Sequence, residues 1–196
     1  MDEKERKERF ATLTWLIDRY DVLRVAISRR AAIVLSADAI LVTATIFIFG
    51  KFAGGFADHP NMGGNEKFLV ILIILLSLTS IGLLLLSLLM ATYSIVNVWA
   101  TSHEMLGEET PDMIFFHARD TFEKLENFKS FKQKLDSSTD EDFLTYAEAE
   151  LWRVTVATYY RHGDLKKAIR YLFFATFPFF FTLLAYSIML AYQLLR

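Results

Sequence analysis

The chain contains no cysteine and only four histidines among its 196 residues. Without cysteine, disulfides, thiol nucleophiles and cysteine-ligated metal sites are excluded. The histidines are scattered, and no two of them form a helical metal-binding pair of the HExxH type. No phosphate-binding loop or serine nucleophile motif is present either. We therefore expect a protein that is not an enzyme, with no catalytic residue, no metal and no cofactor.

The chain also lacks an excess of charge of either sign. It has 21 Lys and Arg residues against 23 Asp and Glu residues, so the net charge is −2. This balance argues against a nucleic acid polymer as a partner, because no general basic field is available. The charged residues are concentrated in 2–30 and 104–170, and long uncharged stretches separate them.

Three of the apolar stretches are long enough to cross a lipid bilayer, which takes about 20 residues of helix. They cover 31–50, 68–96 and 171–195, and Asp38 is the one charged residue in them. A buried helix of a soluble protein is the alternative for each stretch alone, but three such helices would need a far larger protein to cover them. The predicted fold is an all-α membrane protein with three transmembrane helices and helical cytoplasmic extensions.

The positions of Lys and Arg predict the orientation of these spans. Basic residues are frequent just before the first and third spans, whereas the 51–67 segment has only two lysines. By the positive-inside rule, 1–30 and 97–170 are cytoplasmic and 51–67 lies outside. The Gly-rich composition of 51–67 indicates a plain connecting loop.

The cytoplasmic segments show helical periodicity. Residues 1–30 form a predicted amphipathic helix that runs directly into the first span, because no Gly or Pro separates them. Within 97–170, apolar residues recur every three or four positions from 112 to 135, which predicts a second amphipathic helix.

Local signals predict where the later helices begin and end. Ser138 and Glu141 have the spacing of a capping box, which would start the next helix. The step from His162 to Gly163 predicts its end, and Asp164 would then cap a final helix leading into the third span.

Two residues are unusual within the predicted spans. A carboxylate at Asp38 costs at least about 2.5 kcal/mol in lipid, so we expect it to face other helices and not acyl chains. Either it serves a pore or a partner, or it is a neutral or hydroxyl-paired side chain, for which Ser36 and Thr43 are close in sequence. Pro178 in the third span is either a hinge or a simple kink.

Aromatic and basic residues occur together in two cytoplasmic stretches. Aromatic rings can stack on a base and Arg can hold a phosphate, so these residues are candidates for ligand binding. The alternative is that the aromatic residues form a core and the Arg residues are solvated. The candidates are Phe115, Phe116, His117, Arg119, Arg153, Tyr160 and Arg161.

The sequence of 29–195 resembles the membrane effectors of Pycsar antiphage systems. The similarity lies in RRAAIVLSADAIL at the first span, in PDMIFFHARDTFEKLENFKSFKQKL, and in SSTDEDFLTYAEAELWRVTVATYYRHGDLKKAIRYL before the last span. Members carry a Pro, a short gap and a Phe-rich phrase, and Pro111, Phe115 and Phe116 match that pattern. His117 and Ala118 stand where members commonly have Gly or a small polar residue.

The resemblance implies a function. Such effectors sit in the bacterial inner membrane, sense a cyclic pyrimidine mononucleotide (cCMP or cUMP) in the cytoplasm, and impair the membrane so that infection is aborted. The expected partners are therefore the lipid bilayer and a cyclic nucleotide second messenger. Because three spans enclose little space, we also expect a homo-oligomer. A membrane effector or channel gated by a cyclic oligonucleotide or a partner protein, and an oligomeric membrane scaffold without a ligand, are the alternatives.

Overall fold

The computed structural model describes residues 2–58, 64–96, 115, 121–122 and 124–194, and no β-strand occurs among them. Three of its helices are long and apolar enough to cross a membrane. The all-helical prediction is confirmed for this part of the chain. The elements are α1 (Glu3–Asp58), α2 (Gly64–Val96), α3 (Phe128–Ser137) and α4 (Asp140–Leu194).

Helix α1 continues without interruption from the charged N-terminal segment into the first apolar stretch. This confirms the prediction that no linker separates the two. The loop predicted over 51–67 is too long, because α1 extends to Asp58 and α2 already begins at Gly64. A Gly residue inside a helix costs only about 1 kcal/mol relative to Ala, so a Gly-rich segment can still be helical. The prediction from Gly content therefore made the loop too long.

The helix predicted from 112 to 135 is not continuous, because Phe115 lies in a turn with a positive φ and a second break follows at 125–127. Residues 125–127 are not helical, and α3 begins after Asn127, whose side chain accepts a hydrogen bond from the Ser130 amide at 3.0 Å. The Asn127 side chain satisfies an amide of the first helical turn that has no partner within α3, and this N-cap favours a new helix start. Residues 112–114, 116–120 and 123 lie outside the described part of the chain.

The capping box at the start of α4 is one residue later than predicted. The Thr139 amide donates to the Asp142 carboxylate at 2.7 Å, and the Asp142 amide donates back to the Thr139 hydroxyl at 3.3 Å. Ser138, predicted to cap α4 with Glu141, instead ends α3, where its amide donates to the Leu135 carbonyl.

The predicted break at Gly163 is wrong, because α4 runs unbroken from Asp140 to Leu194. Asp164 is inside the helix and forms an ion pair with Lys167 at 3.2 Å, so it does not cap anything. The helix also continues through Pro178, whose carbonyl accepts a hydrogen bond from the Thr182 hydroxyl at 2.8 Å. One glycine does not outweigh the helix-forming residues on both sides of it.

The chain divides into two compact units, and their boundaries fall inside α1 and α4. The head unit comprises Met1–Ile27 and Asn97–His162, and the span unit comprises Ser28–Val96 and Gly163–Arg196. In the head unit, Leu13 of α1 packs against Leu144 and Ala147 of α4.

In the span unit, α2 lies antiparallel to both α1 and α4. An apolar cluster joins the end of the first apolar stretch to the beginning of the second, through Ile48, Val70 and Ile73, and includes Phe179 of α4. Hydrogen bonds join Ser80 to Ala175 and Ser87 to Ala168. The later residue of α2 contacts the earlier residue of α4, so these two helices run in opposite directions.

Candidate functional site

The side of α2 that is buried in the span unit carries small and polar residues in its central part. Its buried positions are separated alternately by three and four residues, the repeat of helices that pack as a left-handed coiled coil. Four of the eight are serines. They are Val70, Ile73, Ser77, Ser80, Leu84, Ser87, Ala91 and Ser94.

Asp38 lies opposite this face and is fully buried. The Ser87 hydroxyl oxygen is 2.9 Å from Asp38 Oδ2 and 3.0 Å from the carbonyl oxygen of Ala168, so all three helices meet at this point. The prediction that Asp38 faces other helices is confirmed. Its sequence neighbours Ser36 and Thr43 do not pair with it, because each donates to a carbonyl of its own helix.

A second polar layer lies seven residues from the first on each helix. The Ser80 hydroxyl donates to the Ala175 carbonyl at 3.3 Å, and Thr45 is fully buried on α1. Seven residues correspond to about 10.5 Å along a helix. We call these two layers, with the buried Ser77, Ser94 and Thr182, the polar seam.

The outward face of the span unit is apolar. Ile40, two residues from the fully buried Asp38, is 70% exposed, and the exposed set on α4 includes Phe173, Phe177 and Phe180. A water-soluble bundle has the opposite arrangement, with large apolar side chains inside. Small and polar residues between helices are typical of packing in lipid, where apolar side chains gain nothing by turning inward. The span unit is therefore compatible with a multi-pass membrane protein.

The described candidates for ligand binding belong to the head unit, where Phe115 is part of an aromatic cluster. Its ring centroid lies 5.3 Å from that of Phe131, 5.6 Å from that of Phe143 and 6.4 Å from that of Tyr146. Its backbone has a φ of 79°, a strained conformation for a bulky residue, and its amide donates to the Thr121 hydroxyl at 3.1 Å. These contacts support the interpretation of Phe115 as a core residue.

Arg153 and Tyr160 differ in their surroundings. Arg153 forms a two-pronged ion pair with Glu150, in which its Nε lies 2.6 Å from a carboxylate oxygen, and both side chains are largely buried. Tyr160 is exposed, and its ring contacts Tyr159 edge-on at 5.5 Å. Arg153 and Tyr160 are seven residues apart and share a face of α4.

Arg161 lies half-buried beside Tyr160. Burial lowers the pKa of its guanidinium below the ordinary value, and the positive charge of Arg24 lowers this pKa further. The other three candidates, Phe116, His117 and Arg119, lie outside the described residues. A ligand-binding role for this set stays a prediction.

No protein-family model, no curated protein and no solved structure matches this chain. Asp38 was predicted from the sequence, but the Ser87 hydroxyl that contacts it was not. The available signal was the recurrence of serine every seven residues, at Ser80, Ser87 and Ser94, within a run of Leu and Ile.

Proposed function

We propose that this chain is a multi-pass protein of the bacterial inner membrane that permeabilises that membrane in response to a cytoplasmic signal. The polar seam inside three apolar helices is the observation that carries the proposal. Its N-terminus and head unit are cytoplasmic, as the distribution of basic residues indicates. The signal is a cyclic pyrimidine mononucleotide, cCMP or cUMP, and the outcome is abortive infection, by resemblance to the Pycsar effectors.

The seam supports permeabilisation because of what happens when the helices separate. In the packed span unit, Asp38, Thr45 and Ser80 are fully buried against protein. A charged carboxylate at the centre of a bilayer costs about 2.5–3.5 kcal/mol or more, and a neutral carboxyl or hydroxyl group there also lacks hydrogen-bond partners. Separated helices would therefore turn their seams toward water or toward the seams of other copies. We propose that several copies assemble in this way around a hydrated path.

The connections between the units support control from the cytoplasm. Where the head unit gives way to the span unit in α1 and in α4, the chain is continuous helix, with no intervening loop. A helix transmits a rotation or shift along its length far better than a flexible linker does. We propose that ligand binding in the head unit acts through these two helices.

Among the described residues of the head unit, Arg153 and Tyr160 best suit a nucleotide. An Arg fork binds phosphate in the same two-pronged geometry that it uses with a carboxylate. We propose that the nucleotide phosphate displaces the Glu150 carboxylate from Arg153 and that the pyrimidine stacks on the exposed Tyr160 ring. The freed Glu150 then becomes the switch element of the head unit.

Dye leakage from proteoliposomes tests the proposal. Purified protein is reconstituted into vesicles of phosphatidylethanolamine and phosphatidylglycerol, with cCMP, cUMP or, as a control, cAMP on both sides of the membrane. We expect leakage with one or both pyrimidine nucleotides and none with cAMP. Leakage that ignores nucleotides, or none under any condition, would contradict the proposal. Leakage in response to a cyclic oligonucleotide, and not to cCMP or cUMP, would support permeabilisation but contradict the proposed ligand.

Two matched pairs of variants locate the parts. Asp38→Leu should abolish leakage because it removes the carboxyl group that would bind water along the path. Ile40→Leu on the outward face should leave leakage unchanged. The double variant Glu150→Gln/Arg153→Gln should lose the nucleotide response, whereas Arg9→Gln, which removes an exposed ion pair with Glu148, should keep it.

The natural absence of cysteine allows a test of orientation with single introduced thiols. A membrane-impermeant thiol reagent should label Gly64→Cys in intact spheroplasts and should label Glu3→Cys only after lysis. The reverse pattern would overturn the proposed orientation. Labelling of both sites in intact spheroplasts would show that the chain does not cross the membrane as proposed.

A further inference from the structure

The Ser87 hydroxyl has two oxygen neighbours at hydrogen-bond distance. Asp38 Oδ2 lies at 2.9 Å and the Ala168 carbonyl oxygen lies at 3.0 Å. A serine hydroxyl carries one hydrogen, so it can donate fully to only one of them. A backbone carbonyl carries no hydrogen and can only accept. The second hydrogen in this group must therefore come from Asp38.

We infer that Asp38 is a proton-binding site of the packed span unit. Its neutral carboxyl group donates the Oδ2 hydrogen to the Ser87 oxygen, and the Ser87 hydroxyl donates to the Ala168 carbonyl. This directed chain accounts for both short distances, and a carboxylate would leave one of them without a hydrogen. The inference concerns the packed helices and does not rest on the proposed function.

The second carboxyl oxygen supports the same assignment. Asp38 Oδ1 is buried and has no hydrogen-bond partner among the described residues. A buried carboxylate needs several donors or a cation to offset the loss of water, whereas the carbonyl oxygen of a neutral acid tolerates isolation better. The neutral, protonated form of Asp38 is therefore the more stable form in these surroundings.

Among the described residues of the three helices, no ion pair to Asp38 occurs, and the basic side chains nearest to it in sequence are exposed. On α1 the basic residues nearest in sequence, Arg30 and Lys51, are exposed. On α2, residues 68–96 contain no charged side chain, and Tyr93 is the one titratable group. The titratable side chains of α4 near Ala168 are Asp164, Lys166, Lys167, Arg170 and Tyr171, of which the two lysines and Arg170 are exposed.

Infrared difference spectroscopy of the reconstituted protein tests the inference directly. A protonated carboxyl group shows a carbonyl stretch that is distinct from the carboxylate bands and shifts when water is replaced by D2O. At neutral pH we expect this band in the wild type and not in Asp38→Asn. Asp18→Asn, an exposed site on the same helix, is the matched control and should retain the band. A carboxylate signal that disappears with Asp38→Asn would overturn the inference.

Ser87→Ala provides a second readout that does not depend on changing Asp38. It removes the acceptor of the Asp38 hydrogen, so the carbonyl stretch should persist and move to the frequency of a less strongly bonded acid. A band that does not move would overturn the directed chain, even if Asp38→Asn failed to fold.

Thermal unfolding gives a third, independent readout. The packed wild type holds a proton that an exposed Asp releases at neutral pH, so its stability should fall as pH rises relative to that of Asp38→Asn. An Asn amide can donate to Ser87 in the same position, so this variant keeps the contact without the titration. Parallel stability curves for the two proteins would count against proton binding.

Discussion

Among the described residues, the head unit buries the carboxyl group of Glu150 and the span unit buries that of Asp38, and the surroundings of the two groups differ. In the head unit, Glu150 is paired with Arg153, and the surrounding core is apolar and aromatic. In the span unit, the Asp38 carboxyl group contacts the Ser87 hydroxyl and, among the described residues, no cation. Small and polar residues surround it, and the outward surface is apolar. The difference is compatible with a head unit in water and a span unit in lipid. The charge of Glu150 is balanced by Arg153, whereas we have proposed a bound proton for Asp38.

The largest expected effect comes from removing the acid of the head unit. Glu150→Ala leaves Arg153 buried without its carboxylate, which costs about 3–5 kcal/mol for a buried pair. Glu148→Ala, two residues away, removes only the exposed pair with Arg9 and should cost about 1 kcal/mol or less. Thermal unfolding in detergent would compare the two. Equal losses would show that the burial of Glu150 has no energetic consequence.

The next effect tests the close packing of the span unit. Ala168 is fully buried at the point where the three helices meet, so Ala168→Leu should overpack the seam and cost about 1–3 kcal/mol. Its neighbour Ile169 points outward, and Ile169→Leu should change little. Detergent-solubilised Tm values measure both changes. If Ala168→Leu were stabilising, the helices would not approach as closely as described.

A smaller effect is expected from one hydrogen bond of the seam. Ser80→Ala removes the donor to the Ala175 carbonyl, and such bonds between membrane helices average about 0.6 kcal/mol. Thr79→Ala removes a hydroxyl that bonds only within its own helix and should have an effect near zero. Chemical unfolding in mixed micelles can resolve the pair. A larger loss for Thr79→Ala would contradict the assignment of α2 faces.

The smallest effect concerns pH in the head unit. The Thr139 amide and hydroxyl hold the pKa of the exposed Asp142 carboxyl below its ordinary value. A lowered pKa in the folded state contributes stability at pH values above about 3.9, and this contribution disappears as pH falls through the folded pKa. Asp142→Asn should therefore flatten the acid limb of the stability curve. Asp140→Asn, two residues earlier and with no side-chain hydrogen bond to Thr139, is the control.

Several elements were predictable from local sequence because their cause is local. The three apolar stretches and the continuity of α1 follow from composition and from the absence of Gly and Pro between 10 and 49. The interior position of Asp38 also followed, because lipid excludes a carboxyl group wherever the helix lies.

Other elements depended on competing local signals, and the sequence pattern does not show which of them prevails. Gly163 was predicted to end a helix, yet the helix-forming residues around it outweigh a single glycine. Thr139 and Ser138 both suit an N-cap, and the competing C-cap contact of Ser138 with Leu135 distinguished them. Phe115 suited either a ligand or a core until its neighbours Phe131, Phe143 and Tyr146 were known.

The sequence by itself determined that this protein has three apolar helices and that Asp38 is shielded within them, because hydropathy and the cost of exposing a carboxyl group to an apolar solvent act on each helix alone. Only the tertiary structure decided which groups shield it. Ser87 lies 49 positions away and Ala168 contributes a backbone carbonyl, which every residue has. Those partners depend on the register of antiparallel helices, which is set by the packing of all three and not by any one of them.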